Sequence, residues 1–268
     1  MKKILLATDG NNFSEGAFAF ARKLNEREHV LLTGIFLPSP DYTYPLASAS
    51  PYVPLVEEYA AASVEPAVEK FLEACVNNGL ECHVHKNLHA YAMAELKRET
   101  RFADLLIVCG EKFFDELRIA GPDEMLSNAL HQSECPVVIT PEGYHFPESV
   151  ILSYDGSAAS AFAIKSFAYL FPDLCNKPAI LIYCNEKESS MPEEENITEL
   201  VKQHFTDLTI QKLDINPKKY FDTWLRDIKL PILVTGAYGR TGVSRLLKQS
   251  FAAQILNEHR IPVFIAHR

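Results

Sequence analysis

The stretch best equipped to hold a charged ligand runs Gly236-Ala237-Tyr238-Gly239-Arg240-Thr241-Gly242-Val243-Ser244-Arg245-Leu246-Leu247-Lys248-Gln249-Ser250. Its glycines admit unusual backbone angles and let main-chain N–H groups approach a bound group closely. Arg240, Arg245 and Lys248 gather positive charge in a chain whose formal net charge is -9. Ser250 is placed to cap a following helix, whose first N–H groups favour an anion. These are the ingredients of a phosphate site. They do not make a P-loop, because no Gly-Lys-Ser/Thr follows, and the spacing is not that of a dinucleotide fingerprint. A structural turn carrying solubilising basic residues explains the pattern as well, and both readings stand.

Asp155 closes an apolar run and precedes Gly156. A carboxylate there either braces its own turn or reaches a ligand. No motif partner accompanies it, so proton abstraction has no support and an enzyme is the less favoured reading. Cys82-His83-Val84-His85 holds metal-capable side chains. No four-ligand set can be assembled around them, and no metal is assigned.

The elements that position these residues occur twice. Ile4-Leu5-Leu6-Ala7-Thr8-Asp9-Gly10 matches Val150-Ile151-Leu152-Ser153-Tyr154-Asp155-Gly156 at an offset of 146. Leu105-Leu106-Ile107-Val108-Cys109-Gly110 matches Pro231-Ile232-Leu233-Val234-Thr235-Gly236, and Cys135-Pro136-Val137 matches Ile261-Pro262-Val263, both at 126. Three matches in one order mark an internal repeat. The smaller second offset gives copy one about 20 extra residues, and the proline- and tyrosine-rich stretch near 38–56 supplies them, as a surface loop or as a lid or docking segment that exposes its tyrosines. The copies are read as residues 1–141 and 148–268, with Pro141 to Pro147 between them.

Within each copy, short apolar runs alternate with helical stretches. The expected fold is therefore α/β: two tandem Rossmann-like domains, each a five-stranded parallel sheet with helices on both faces. Such sheets bind ligands at the carboxyl ends of their strands, where the strand order reverses. Helix caps are expected at Asn11 or Asn12 in the first copy, and the first helix of copy two is expected from Ser160. The fifth strand of each copy, Val137 to Thr140 and Val263 to Ala266, would be an exposed edge in isolation, and the two are expected to pair antiparallel within the chain.

Bulk composition narrows the function. The acidic surface argues against general nucleic-acid binding. No segment approaches the roughly 20 apolar residues of a membrane span. The apolar run at the N-terminus stops at Asp9, too soon for a signal peptide. Six cysteines without a C-x-x-C pair read as reduced thiols of a cytoplasmic protein.

The run Thr235-Gly236-Ala237-Tyr238-Gly239, with Ser250, Ile261-Pro262-Val263 and the opening at Asp155-Gly156, resembles the universal stress protein family over nearly the whole chain, as two family domains in one polypeptide. Nucleotide-binding members carry Gly, two residues, Gly, nine residues, Gly, then Ser or Thr. Gly236, Gly239 and Ser250 match, and Gln249 stands in place of the third glycine. The resemblance implies ATP or another adenine nucleotide in copy two only, with Mg²⁺ as an optional companion. It implies Asp155 at the ribose or adenine and Cys184 near the base. In copy one Phe113 replaces the second glycine, and Asp123 and Glu124 fall where the last glycine and hydroxyl belong. Carboxylates at a helix start repel phosphate, so that copy is expected to lack the site. The resemblance implies a regulatory nucleotide-binding protein of the stress response. A ligand-free scaffold and a slow ATPase are the alternatives. An intramolecular pseudo-dimer of the two copies is expected, and the resemblance also allows a homodimer of whole chains.

Overall fold

The computed structural model describes residues 1–8, 13–37, 53–86, 92–113, 130, 132–184, 190–213, 225, 227–236 and 261–266. Contacts divide the chain into two compact units, Met1–Cys135 and Pro136–Arg268.

In the first unit, β1 (Lys2–Thr8) is buried from Ile4 onward, which its uninterrupted apolar run requires of a strand covered on both faces. Helix α1 (Glu15–Asn25), β2 (Val30–Phe36), α2 (Val53–Asn77), β3 (Glu81–Lys86), α3 (Ala92–Thr100) and β4 (Leu105–Cys109) follow. The sheet order is β3-β2-β1-β4, every pairing parallel. The chain steps from β1 to β2 to β3, then crosses back to β4 beside β1. Right-handed crossovers in opposite directions put α1 and α2 on one face and α3 on the other. The core between α2 and the sheet centres on Phe71, whose ring meets Phe18 and Phe36 edge-on at 6.4 and 5.7 Å.

Two helix boundaries differ from the sequence reading. Ser14, not Asn11 or Asn12, caps α1: its Oγ accepts from Ala17 N at 3.0 Å in a buried setting. Helix α2 begins at Val53, within the proline-rich stretch read as a loop. Pro54 thereby falls in the first helical turn, where a missing N–H costs nothing. Replacing Ser14 with alanine should destabilise the protein by about 1 kcal/mol, read as a lower denaturation midpoint, because a buried helix-end amide loses its acceptor.

The second unit holds β5 (Val137–Thr140), β6 (Ser149–Tyr154), α4 (Ala158–Leu170), a 3₁₀ turn (Leu174–Asn176), β7 (Ala179–Cys184), α5 (Glu194–His204), β8 (Leu208–Leu213), β9 (Pro231–Gly236) and β10 (Val263–Ala266). Strands β10, β9, β6, β7 and β8 lie side by side and parallel, in the same sense of strand order as the first unit. Strand β5 pairs antiparallel with β10, Val138 facing Phe264. The two repeat-equivalent strands thus satisfy each other's edges, as expected from the sequence. Helix α4 packs through Phe167, which with Phe171 meets the Phe264 ring at 5.3 and 5.8 Å. The helices expected at 122–131, 220–227 and 250–258 lie largely or wholly outside the described residues.

Candidate functional site

In the second unit the strand order reverses between β6 and β9, paired in parallel with Leu152 beside Val234. Two chain segments leave the sheet there: Asp155-Gly156-Ser157 after β6, and the chain after Gly236.

The first segment is a tightly braced turn. Asp155 is solvent-exposed, and its Oδ1 accepts from Ser157 N at 2.9 Å. Gly156 sits at φ +82°, a left-handed angle that other residues adopt only with strain. Ser157 then caps α4, its Oγ accepting from Ser160 N at 3.1 Å, while Ser160 Oγ donates to Ser157 O at 2.8 Å. The helix therefore starts at Ala158, ahead of the expected Ser160, and its first turn faces the reversal point. A serine directly after Asp-Gly was the available signal for this cap.

A second clamp comes from the chain before α5. Tyr154 Oη donates to the Pro192 carbonyl at 3.0 Å. Burial first, then the carboxylates of Glu193 and Asp155, raise the Tyr154 phenol above its usual range, so it stays protonated and keeps that donor. A Cβ at Gly156 would lie 2.8 Å from Pro192 Cγ, on top of the strained φ. Gly156→Ala should therefore lower stability by about 1–2 kcal/mol in a thermal melt; the proline ring can yield, but the backbone angle cannot.

Gly236 is confined more severely. A Cβ there would lie 2.4 Å from both the carbonyl carbon of Ala159 and the amide nitrogen of Ser160. The end of β9 thus runs against the first turn of α4, backbone to backbone. Sequence reasoning assigned this glycine to ligand approach and missed its packing role. The next strand over, β7, ends at Cys184, paired with Leu213 of β8, so its chain also terminates at this edge. Of the residues read from sequence, the fold brings Asp155, Gly236 and Cys184 to one edge of one sheet. Gly239, Gln249 and Ser250, with Arg240, Arg245 and Lys248, lie outside the described residues.

The corresponding edge of the first unit is built differently. Phe113, in place of a glycine, is buried, with its N–H on the Cys109 carbonyl at 3.1 Å. Lys112 reaches across to donate to the Phe13 carbonyl at 3.1 Å, just ahead of the α1 cap. Asp123 and Glu124, with Asp9 and Gly10, lie outside the described residues. Elsewhere in this unit, His85 Nδ1 lies 3.1 Å from Glu99 Oε2. Among the described residues no group of three or more histidine, cysteine or acidic side chains could hold a metal ion, and no helix is long and apolar enough to cross a membrane.

No protein-family model matches the sequence, and no curated protein does. Solved structures do. A universal stress protein from Archaeoglobus fulgidus aligns over 100% of this chain and 96% of its own, with a TM-score of 0.68 at 14% identity. A putative universal stress protein from Pseudomonas aeruginosa aligns over 100% and 93%, with a TM-score of 0.54 at 16% identity. The cytoplasmic domain of a prokaryotic cation chloride cotransporter also aligns, over 98% and 94%, with a TM-score of 0.52 at 13% identity. One architecture thus serves proteins of different kinds, and the site must carry the functional argument. The architecture itself, spanning the whole chain, is the fold of the universal stress proteins.

Proposed function

We propose that the second unit binds one adenine nucleotide, ATP or a close relative, and that the protein acts as a regulatory binding protein of the stress response in the cytoplasm. The observation that carries this reading is the convergence at the β6/β9 reversal of an exposed carboxylate, the first turn of α4 and a strand end without a side chain. Open parallel sheets bind ligands at this place. The described residues suit the nucleoside end: Asp155 offers acceptors to a ribose hydroxyl or an adenine amino group while it braces its own turn. The phosphates and any Mg²⁺ fall to Gly239, Gln249, Ser250 and their basic neighbours. These groups bind and orient, and the reading includes no hydrolysis.

The first unit is assigned no nucleotide. Its buried Phe113 fills a position that a phosphate-approaching backbone needs empty. Calorimetric titration of ATP into the full chain should accordingly give one site per chain. Mass spectrometry of small molecules released on denaturing the purified protein should show an adenine nucleotide. Two equal sites, or no heat and no released nucleotide, would overturn the reading.

The scaffold alternative draws on Gly236. Ala159 and Ser160 already exclude a side chain there, so the glycine does not by itself require a ligand. In that case the titration is silent and the glycine is retained for packing alone.

A further inference from the structure

The last inward residue of α2 and the first inward-facing strand residue of β3 are both cysteines. The buried stripe of α2 includes Val64, Ala67, Val68, Phe71 and Cys75, at the three- and four-residue spacing of one helix face. The helix ends at Asn77 and the chain turns through left-handed Gly79, so that the N–H of Leu80 returns to the Cys75 carbonyl at 3.0 Å. Strand β3 begins at the next residue. Its alternation leaves Glu81 and His83 exposed and turns Leu80, Cys82 and Val84 inward, toward the side that carries α2. This short reversal returns Cys82 to the inward side of the turn, next to the end of α2 that carries Cys75, close enough for each thiol to bear on the other's ionisation. Their access to solvent differs: Cys75 is fully buried, whereas Cys82 is partly exposed.

We propose that Cys75 and Cys82 form a reversible disulfide when the protein meets a hydroperoxide, which makes this helix–strand reversal a redox modification site. Cys82, the thiol nearer solvent, reacts first. Its sulfur attacks one oxygen of hydrogen peroxide, the O–O bond breaks, and the departing hydroxide leaves as water with the thiol proton. Cys82 is then a sulfenic acid. The Cys75 sulfur attacks the Cys82 sulfur. The S–S bond forms, the S–O bond breaks, and the hydroxyl leaves as water with the Cys75 proton. Two thiols have lost two electrons, and one peroxide has become two waters. A dithiol reverses the process by exchange. Burial holds the Cys75 thiol well above the usual thiol range, so the second step is the slow one and the sulfenic acid persists long enough to trap.

Trypsin reads the outcome directly. Lys70 and Lys86 flank a peptide, Phe71 to Lys86, that contains Cys75 and Cys82 and no other cysteine. The full chain is treated with hydrogen peroxide, quenched, alkylated with a maleimide in denaturant, digested and analysed by mass spectrometry. The expected result is loss of both maleimide adducts from this peptide, a mass lower by two hydrogens, and return of both adducts after reduction with dithiothreitol. In Cys75→Ser protein, dimedone should label Cys82. A wild-type peptide carrying sulfinic or sulfonic acid at Cys82 and maleimide at Cys75 would overturn the proposal. So would two maleimides at peroxide doses that already oxidise the protein's methionines.

Discussion

Ser250→Asp should weaken ATP binding by about tenfold or more while the protein remains folded. A hydroxyl at a helix start gives a phosphate oxygen a charge-assisted hydrogen bond worth roughly 1.5–3 kcal/mol. Aspartate caps a helix as well as serine does, so folding is spared. Its carboxylate occupies the place of the anion and repels it. The companion change, Gln249→Gly, restores the glycine found at that position in nucleotide-binding universal stress proteins, and should leave affinity equal or higher. Calorimetry with ATP on the parent and both variants distinguishes three cases. Weaker binding with aspartate and equal or tighter binding with glycine supports the site. Binding gained only with glycine identifies the parent as a scaffold. Unchanged affinity in both places the phosphates elsewhere and removes this segment from the mechanism.

Gly236→Ala should be the most damaging single-methyl change in the second unit. Its added carbon would sit 2.4 Å from two backbone atoms of α4, closer than any real contact, and neither atom belongs to a side chain that can turn away. Relief requires β9 and α4 to move apart, opening the packing around Phe167 and Phe264. The expected loss is about 3 kcal/mol or more, at the upper end of overpacking effects. For a unit of this size that lowers the melting temperature by roughly 6–12 °C. The effect should exceed that of Gly156→Ala, where the obstacle is a proline ring. A change within about 0.5 kcal/mol at Gly236 would contradict the close approach. Excess ATP should raise the melting temperature of the parent if the site is as proposed.

The central strands were legible because each is a short apolar run with no polar face, whereas the outer strands β3 and β8 alternate buried-side and exposed polar residues. Ile4 to Thr8, Leu105 to Cys109 and Val263 to Ala266 admit only a doubly covered strand. The antiparallel pairing of β5 with β10 was legible from the need to cover two similar edges. Helix starts were harder. Asn11, Asn12 and Ser14 all have capping side chains, and the choice depends on which register buries Ala17, Phe18 and Ala21 against the sheet. Proline density near 38–56 argued for a loop up to the helix, yet one proline in a first turn is tolerated, so α2 could begin at Val53. The site was legible as a location but only partly as a set of duties. Asp155 and Gly236 reach the same edge because the repeat fixes where strands one and four end. That Gly236 must clear Ala159 and Ser160 is a contact between residues far apart in the chain, and no local pattern encodes it.

The pairing of β5 with β10 also sets an order of events during synthesis. Val137 to Thr140 leaves the ribosome roughly 120 residues before its partner, a delay on the order of ten seconds at ordinary elongation rates. Throughout that interval the edge of this apolar strand that β10 covers stays open. Nascent chains stalled after β9 would display this sticky edge, and so would proteins clipped before Val263. Such products should be recognised by chaperones or aggregate, whereas loss of the same number of residues from an exposed loop would go unnoticed.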